Sequence, residues 1–211
     1  MDIDADSLLD TLTAKRREIG IAAIVIAAAA GGVYLWRQST QKKEDNAEKA
    51  FQLAATSFYA GNFSLARTDL QKLVDRYIGT TAGLEGAMLL AQANYSEGKW
   101  ADGIKALEAA QKSSAAGPFA ASLEALIAIG YADQQKYDEA AKHSQAAADK
   151  ARFPADKDMY RADVARTLVL AGKKEEARKI WSELAARPDS PVYGEARVRL
   201  GELEATVATK H

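Results

Sequence analysis

Few side chains in this 211-residue chain have the type and spacing to do chemistry. Imidazole acid–base or metal work would fall to His143 or the terminal His211, the two histidines present. His143 lies between Lys142 and Ser144 with no second histidine at helical spacing, which favours a surface or half-buried role over ligation. There is no cysteine, so disulfides, thiolate metal sites and cysteine nucleophiles are excluded together. Gly172-Lys173-Lys174 offers a glycine and two lysines but lacks the upstream glycine and following hydroxyl of a phosphate loop. Asp2, Asp4 and Asp6 alternate like the first ligands of a calcium loop. Ser7 then stands where the sharp-turn glycine belongs and Thr13 where the bidentate glutamate belongs, which reduces the stretch to a solvated tail. Asp133, Asp138, Glu139, Glu175 and Glu176 fall near turns or helix starts, where acids oppose the helix dipole. No nucleophile elbow, zinc spacing or buried carboxylate pair is present. The chain reads as a non-enzyme that needs no cofactor or metal.

The elements that would carry any function repeat. A turn, an aromatic and a small residue recur as Gly61-Asn62-Phe63 with Ala66 and as Gly98-Lys99-Trp100 with Gly103. They return as Gln135-Lys136-Tyr137 with Ala140 and as Gly172-Lys173-Lys174 with Ala177. Each unit begins 37 residues after the last, and Ala54, Ala91, Ala128 and Ala165 keep the same step. Leu53, Leu90, Ile127 and Val164 stand just before them. Two unlinked sets holding one period over four units define a repeat protein. Within a unit, apolar residues at helical spacing lie on both sides of the turn, which predicts an antiparallel helix pair. The small residue leaves room where the two helices cross, and the aromatic fills the space between one hairpin and the next. Such a unit cannot bury its apolar face alone, so neighbours stack into a solenoid. Pro154 and Pro191 punctuate the starts of later elements, as does Gly117-Pro118. A last helix over about 192–208 caps the stack. The fourth unit carries Lys174 in place of the aromatic, and Ser144 weakens a position held by Leu70, Leu107 and Trp181.

Ahead of the repeats, residues 19–36 form an uncharged stretch of 18 residues. As a helix it would reach about 27 Å, near the ~30 Å hydrocarbon core of a bilayer. Lys15, Arg16 and Arg17 precede it, and Tyr34 and Trp36 stand at its far end where aromatic rings favour the headgroup level. This predicts residues 1–18 as a cytoplasmic tail, 19–36 as a single transmembrane helix, 37–46 as a linker and 47–208 as a repeat domain. A buried helix of a soluble domain, or a signal peptide cleaved after Ala28-Ala29-Ala30, are the competing readings. The tighter cation cluster on the N-terminal side sets the domain on the far side of the membrane, the periplasm in a Gram-negative cell. Ala27 with Gly31, and Ala28 with Gly32, are small residues four apart that let another helix approach closely, self-association included. In an alanine-rich segment that spacing also arises by chance. With 28 basic against 29 acidic residues the chain lacks the charge footprint of a nucleic-acid binder.

The turn glycine, the aromatic two residues on and the alanine three beyond resemble the tetratricopeptide repeat, lengthened from about 34 residues. The resemblance implies an all-α solenoid of about four hairpins whose first helices line a concave partner-binding face. On this register the face carries Phe51, Phe58, Met88, Gln92, Tyr95, Ile129 and Arg166. An apolar groove there would suit a hydrophobic or unfolded segment or a partner's helix; the alternative is that Phe51, Phe58 and Met88 are core. The layout as a whole, with Gly31, Gly32, Tyr34, Trp36 and Arg37 ending the apolar stretch, resembles the YfgM family of ancillary SecYEG translocon subunits. That resemblance implies an inner-membrane protein whose partners are translocon subunits and periplasmic chaperones or emerging chains. A repeat scaffold for envelope or division machinery, and a secreted repeat protein, are the alternatives.

Overall fold

The computed structural model describes residues 16–208, and every regular element among them is helical. The acidic tail with its aspartates, Lys15 and His211 therefore lie outside the described residues. The chain divides into two compact units at Asn46 and Ala47. The first unit is formed by residues 16–46 of helix α1 (Arg16–Tyr59). Residues 37–46, expected as a linker, are helical. The apolar stretch of α1 has a mean hydropathy of 1.6 and none of it is buried. It is long and apolar enough to cross a membrane, and Ile24, Ile26, Leu35 and Trp36 are all exposed.

The second unit is four helical hairpins and a closing helix. Residues 47–59 of α1 pair with α2 (Phe63–Tyr77), and α3 (Thr81–Ser96) pairs with α4 (Trp100–Gln111). A short 3₁₀ turn over Gly117–Phe119 leads into α5 (Ala120–Asp133), which pairs with α6 (Tyr137–Lys150). Then α7 (Pro154–Leu170) pairs with α8 (Lys174–Ala185), and α9 (Tyr193–Ala208) closes the stack against α8. Pro154 occupies the first turn of α7, where its missing N–H costs nothing.

The four repeat turns share one backbone solution. Gly61, Gly98 and Gly172 have φ of 75°, 72° and 78°, and Gln135 adopts the same left-handed conformation at 60°. In each, the next residue's N–H reaches back to a carbonyl five positions earlier: Lys99 to Asn94 at 2.8 Å, Lys136 to Tyr131 at 3.0 Å, Lys173 to Leu168 at 2.9 Å. Asn62 closes the same bond to Ser57 at 3.0 Å. This arrangement satisfies the orphan carbonyls of the first helix, and the residue that closes it then caps the second. The small residue three positions past the aromatic is buried in every hairpin, as Ala66, Gly103, Ala140 and Ala177.

Apolar side chains form two cores. The first runs from Ala47 to Ile127 and includes Leu70, Leu84, Leu90, Leu107 and Leu123. The second runs from Ala141 to Leu203 around Trp181 and Leu184. The break falls in the third hairpin, where Ser144 replaces the large residue that Leu70, Leu107 and Trp181 supply elsewhere. Alanines 140, 147 and 148, fully buried there, are too short to join the two cores.

Candidate partner-binding face

The seven residues expected on the face of the first helices are not equivalent in the fold. Gln92 and Ile129 occupy the same repeat position and are exposed, Ile129 by half. Phe51, Phe58 and Met88 are half-buried and pack against the first core. For these three the core reading and the groove reading both hold in part: one edge of each side chain remains accessible.

Tyr95 differs from the expectation of an open aromatic. It is only 7 % exposed, and its hydroxyl donates to the Leu126 carbonyl at 3.1 Å. Its ring edge lies against Gly103 and its hydroxyl end against Gly130. A Cβ at Gly103 would come within 2.3 Å of Tyr95 Cε1, and one at Gly130 within 2.4 Å of Tyr95 Oη. Gly103 thus replaces the alanine of the other hairpins because the ring of Tyr95 occupies the methyl's place. Burial, and behind it Asp133 and Tyr131, pushes the Tyr95 phenol above its ordinary range.

Arg166, at the repeat position of Gln92 and Ile129, is committed to a fastening role. Its Nε donates to Glu195 Oε1 at 2.8 Å, its Nη2 to the other carboxylate oxygen, and its Nη1 to Asp163. This two-pronged grip ties α7 to α9. The Arg166 hydrogen bond holds Glu195 below the usual carboxylate range against the opposing effect of burial. In the first unit, Ala27, Ala28, Gly31 and Gly32 are exposed, with open space where a Cβ on either glycine would stand.

One polar cluster escaped the sequence reading. Glu124 on α5 is buried and takes two partners from α6: His143 Nδ1 at 2.7 Å from Oε2, and Lys150 Nζ at Oε1. The Tyr131 ring stacks on His143 with centroids 5.2 Å apart. Burial pushes Glu124 up, but the hydrogen bonds from Lys150 and His143 outweigh it and leave the carboxyl below its ordinary range. The signal was available in the repeat register: Glu124 stands where earlier repeats place Ala50 and Ala87, and His143 where they place Asp69 and Ala106. The cluster fastens the hairpin at the break between the cores. Its groups satisfy one another, so it offers no free nucleophile or base.

On the side of the second helices, two open grooves alternate charge. One of about 680 Å3 lies between α2 and α4 beside Arg67, Asp75 and Lys105. Another of about 810 Å3 lies between α6 and α8 beside Lys142, Glu176 and Lys179. No group of three or more His, Asp or Glu side chains is placed to hold a metal ion among the described residues.

The tetratricopeptide repeat-like domain profile matches residues 15–203. The chain belongs to that family. Among solved structures, a crystal structure of nearly identical TPR-like repeats from Podosopora anserina matches with a TM-score of 0.62 at 16 % identity, covering 79 % of this chain and 89 % of that one. A substituted form of the same repeats gives 0.61 at 16 % identity, covering 79 % and 88 %. At that identity the likeness is one of fold. A search of curated proteins finds no match. Tetratricopeptide repeat-like domains are typically protein–protein interaction modules.

Proposed function

We propose that this chain is a membrane-anchored, non-enzymatic adaptor, with residues 19–36 as a single-pass anchor and the hairpins of residues 47–208 as its partner-binding domain. The observation that carries the reading is the combination of an unburied 1.6-hydropathy stretch with a family domain whose first helices leave Gln92 and Ile129 exposed at one shared repeat position. An anchor confines the binding face to one membrane plane and raises its effective concentration for partners there, so weak individual contacts suffice. The basic residues before the apolar stretch support a cytoplasmic N-terminus and periplasmic hairpins. The resemblance to the YfgM family supports translocon subunits as the partners of the anchor, and chaperones or emerging chains as those of the hairpins.

Photocrosslinking in native membranes tests this. A photoreactive residue replaces Ala28 in the apolar stretch, or Gln92 on the binding face; Tyr95 is unsuitable because it is buried. Adducts to translocon subunits from position 28 and to chaperones or nascent chains from position 92 support the adaptor reading. Adducts to division proteins or only to a second copy refute the translocon assignment. A mature product lacking residues before Gly31 refutes the anchor.

A further inference from the structure

The fourth hairpin has neither member of the aromatic pair found in the first two hairpins. In the first hairpin that pair is Phe58 and Phe63, with centroids 5.4 Å apart, and in the second Tyr95 and Trp100 at 5.6 Å. The same repeat positions in the fourth hairpin are Val169 and Lys174. Between α7, α8 and α9 there is instead a cavity of about 390 Å3, walled by Val169, Leu170, Trp181 and Leu203. That size sits at the low end of ligand pockets, about 300–1,000 Å3, and suits one large side chain rather than a helix. The rim is basic: Arg166, Lys174 and Arg199 against Glu202 alone. Arg166 and Arg199 are already paired, with Glu195 and, for Arg199, with Glu202 at 3.0 Å. Lys174 is exposed and has no acidic partner among the described residues.

We propose that this cavity is a docking pocket for an aromatic side chain on a partner protein segment, with an acidic residue immediately beside it. The aromatic restores the ring that the first two hairpins supply from within, packing against Val169 and Leu170. The adjoining carboxylate pairs with Lys174. The inference deepens the adaptor reading by assigning a partner class to one site, and it requires no translocon.

The test uses the full-length chain in lipid discs and fluorescein-labelled hexapeptides of sequence Gly-Ser-Asp-Phe-Gly-Ser, read by fluorescence anisotropy. The Asp-Phe peptide is expected to bind saturably. Replacing its Phe with Ala weakens binding at least tenfold, and replacing its Asp with Asn at least threefold. Lys174→Phe, which restores the repeat's own aromatic, abolishes binding and raises the thermal midpoint of the hairpins because it fills the cavity. Lys174→Met keeps the space and brings the Asp-Phe peptide down to the affinity of the Asn-Phe one. Equal binding of the Asp-Phe and Asp-Ala peptides, undiminished binding by Lys174→Phe, or no saturable binding at millimolar peptide each overturns the proposal. Crosslinks from position 92 without peptide binding refute this pocket alone, whereas peptide binding without any crosslinked partner refutes the wider adaptor reading alone.

Discussion

Gly103→Ala isolates the most specific packing relation in the fold. In an unconstrained helix the change would stabilise by about 1 kcal/mol, since alanine is the better helix former. Here the new methyl lands 2.3 Å from Tyr95 Cε1 and 2.8 Å from Cδ1. The ring cannot retreat, because Gly130 and the Leu126 carbonyl fix its other edge. Overpacking of this kind costs about 1–3 kcal/mol, so with the clash near the upper end the net effect is a loss of about 1–2 kcal/mol. The third hairpin supplies the control, because its equivalents of Tyr95 and Gly103 are Ala132 and Ala140. In a Tyr95→Ala background, Gly103→Ala is therefore expected to stabilise by about 1 kcal/mol, which puts the coupling between the two sites at about 2–3 kcal/mol. Amide hydrogen exchange of peptides from α3, α4 and α5 in the full chain reads this locally, without assuming that a repeat stack unfolds in one step. A neutral or stabilising Gly103→Ala in the wild-type background refutes the reasoning. So does an equal loss in both backgrounds.

Other perturbations follow from the same geometry. Gln135→Gly relieves a left-handed backbone that costs a non-glycine residue about 1 kcal/mol, and it should stabilise the third hairpin by up to that amount, whereas Gly98→Ala should cost about as much; thermal unfolding compares the pair. Arg187→Ala leaves the buried Asp158 carboxylate without the partner that holds it at 2.6 Å, and since Arg187 is itself partly exposed a loss of about 2–3 kcal/mol is expected in denaturant titration. Glu124 has its carboxyl depressed in the folded state, so its stabilising contribution is present above the ordinary glutamate range and is lost as pH falls through the lowered value. Stability of the third hairpin measured by exchange should therefore drop on acidification, and Glu124→Gln should flatten that drop. Glu85 has the opposite sign: burial, then the neighbouring Glu48, raise its carboxyl, so Glu85→Gln should raise the melting temperature at neutral pH and lose that advantage as pH approaches the acid range.

The repeat architecture was legible in the sequence because a 37-residue period is a covalent fact, and each marked position has one physical job. A glycine two residues before an aromatic dictates a left-handed turn, and the alanine three beyond dictates a close helix crossing. The period even placed Gln135 in a conformation its residue type disfavours, since the bonds closing the turn are the same in all four hairpins. The apolar stretch was equally plain, because length and hydropathy are properties of the chain and not of its packing. Exposure on the first helices was not legible. Gln92, Ile129 and Arg166 share one repeat position, yet two are exposed and the third is clamped between Asp163 and Glu195, because only the last hairpin has α9 as its neighbour. Likewise Tyr95 reads as a groove aromatic until the two glycines that receive it, 8 and 35 residues away, are brought against its ring edge and its hydroxyl end. Periodicity fixes which residues face a neighbour. What that neighbour offers, a glycine, a carboxylate or open space, is set by contacts between hairpins and is decided only when the chain has folded.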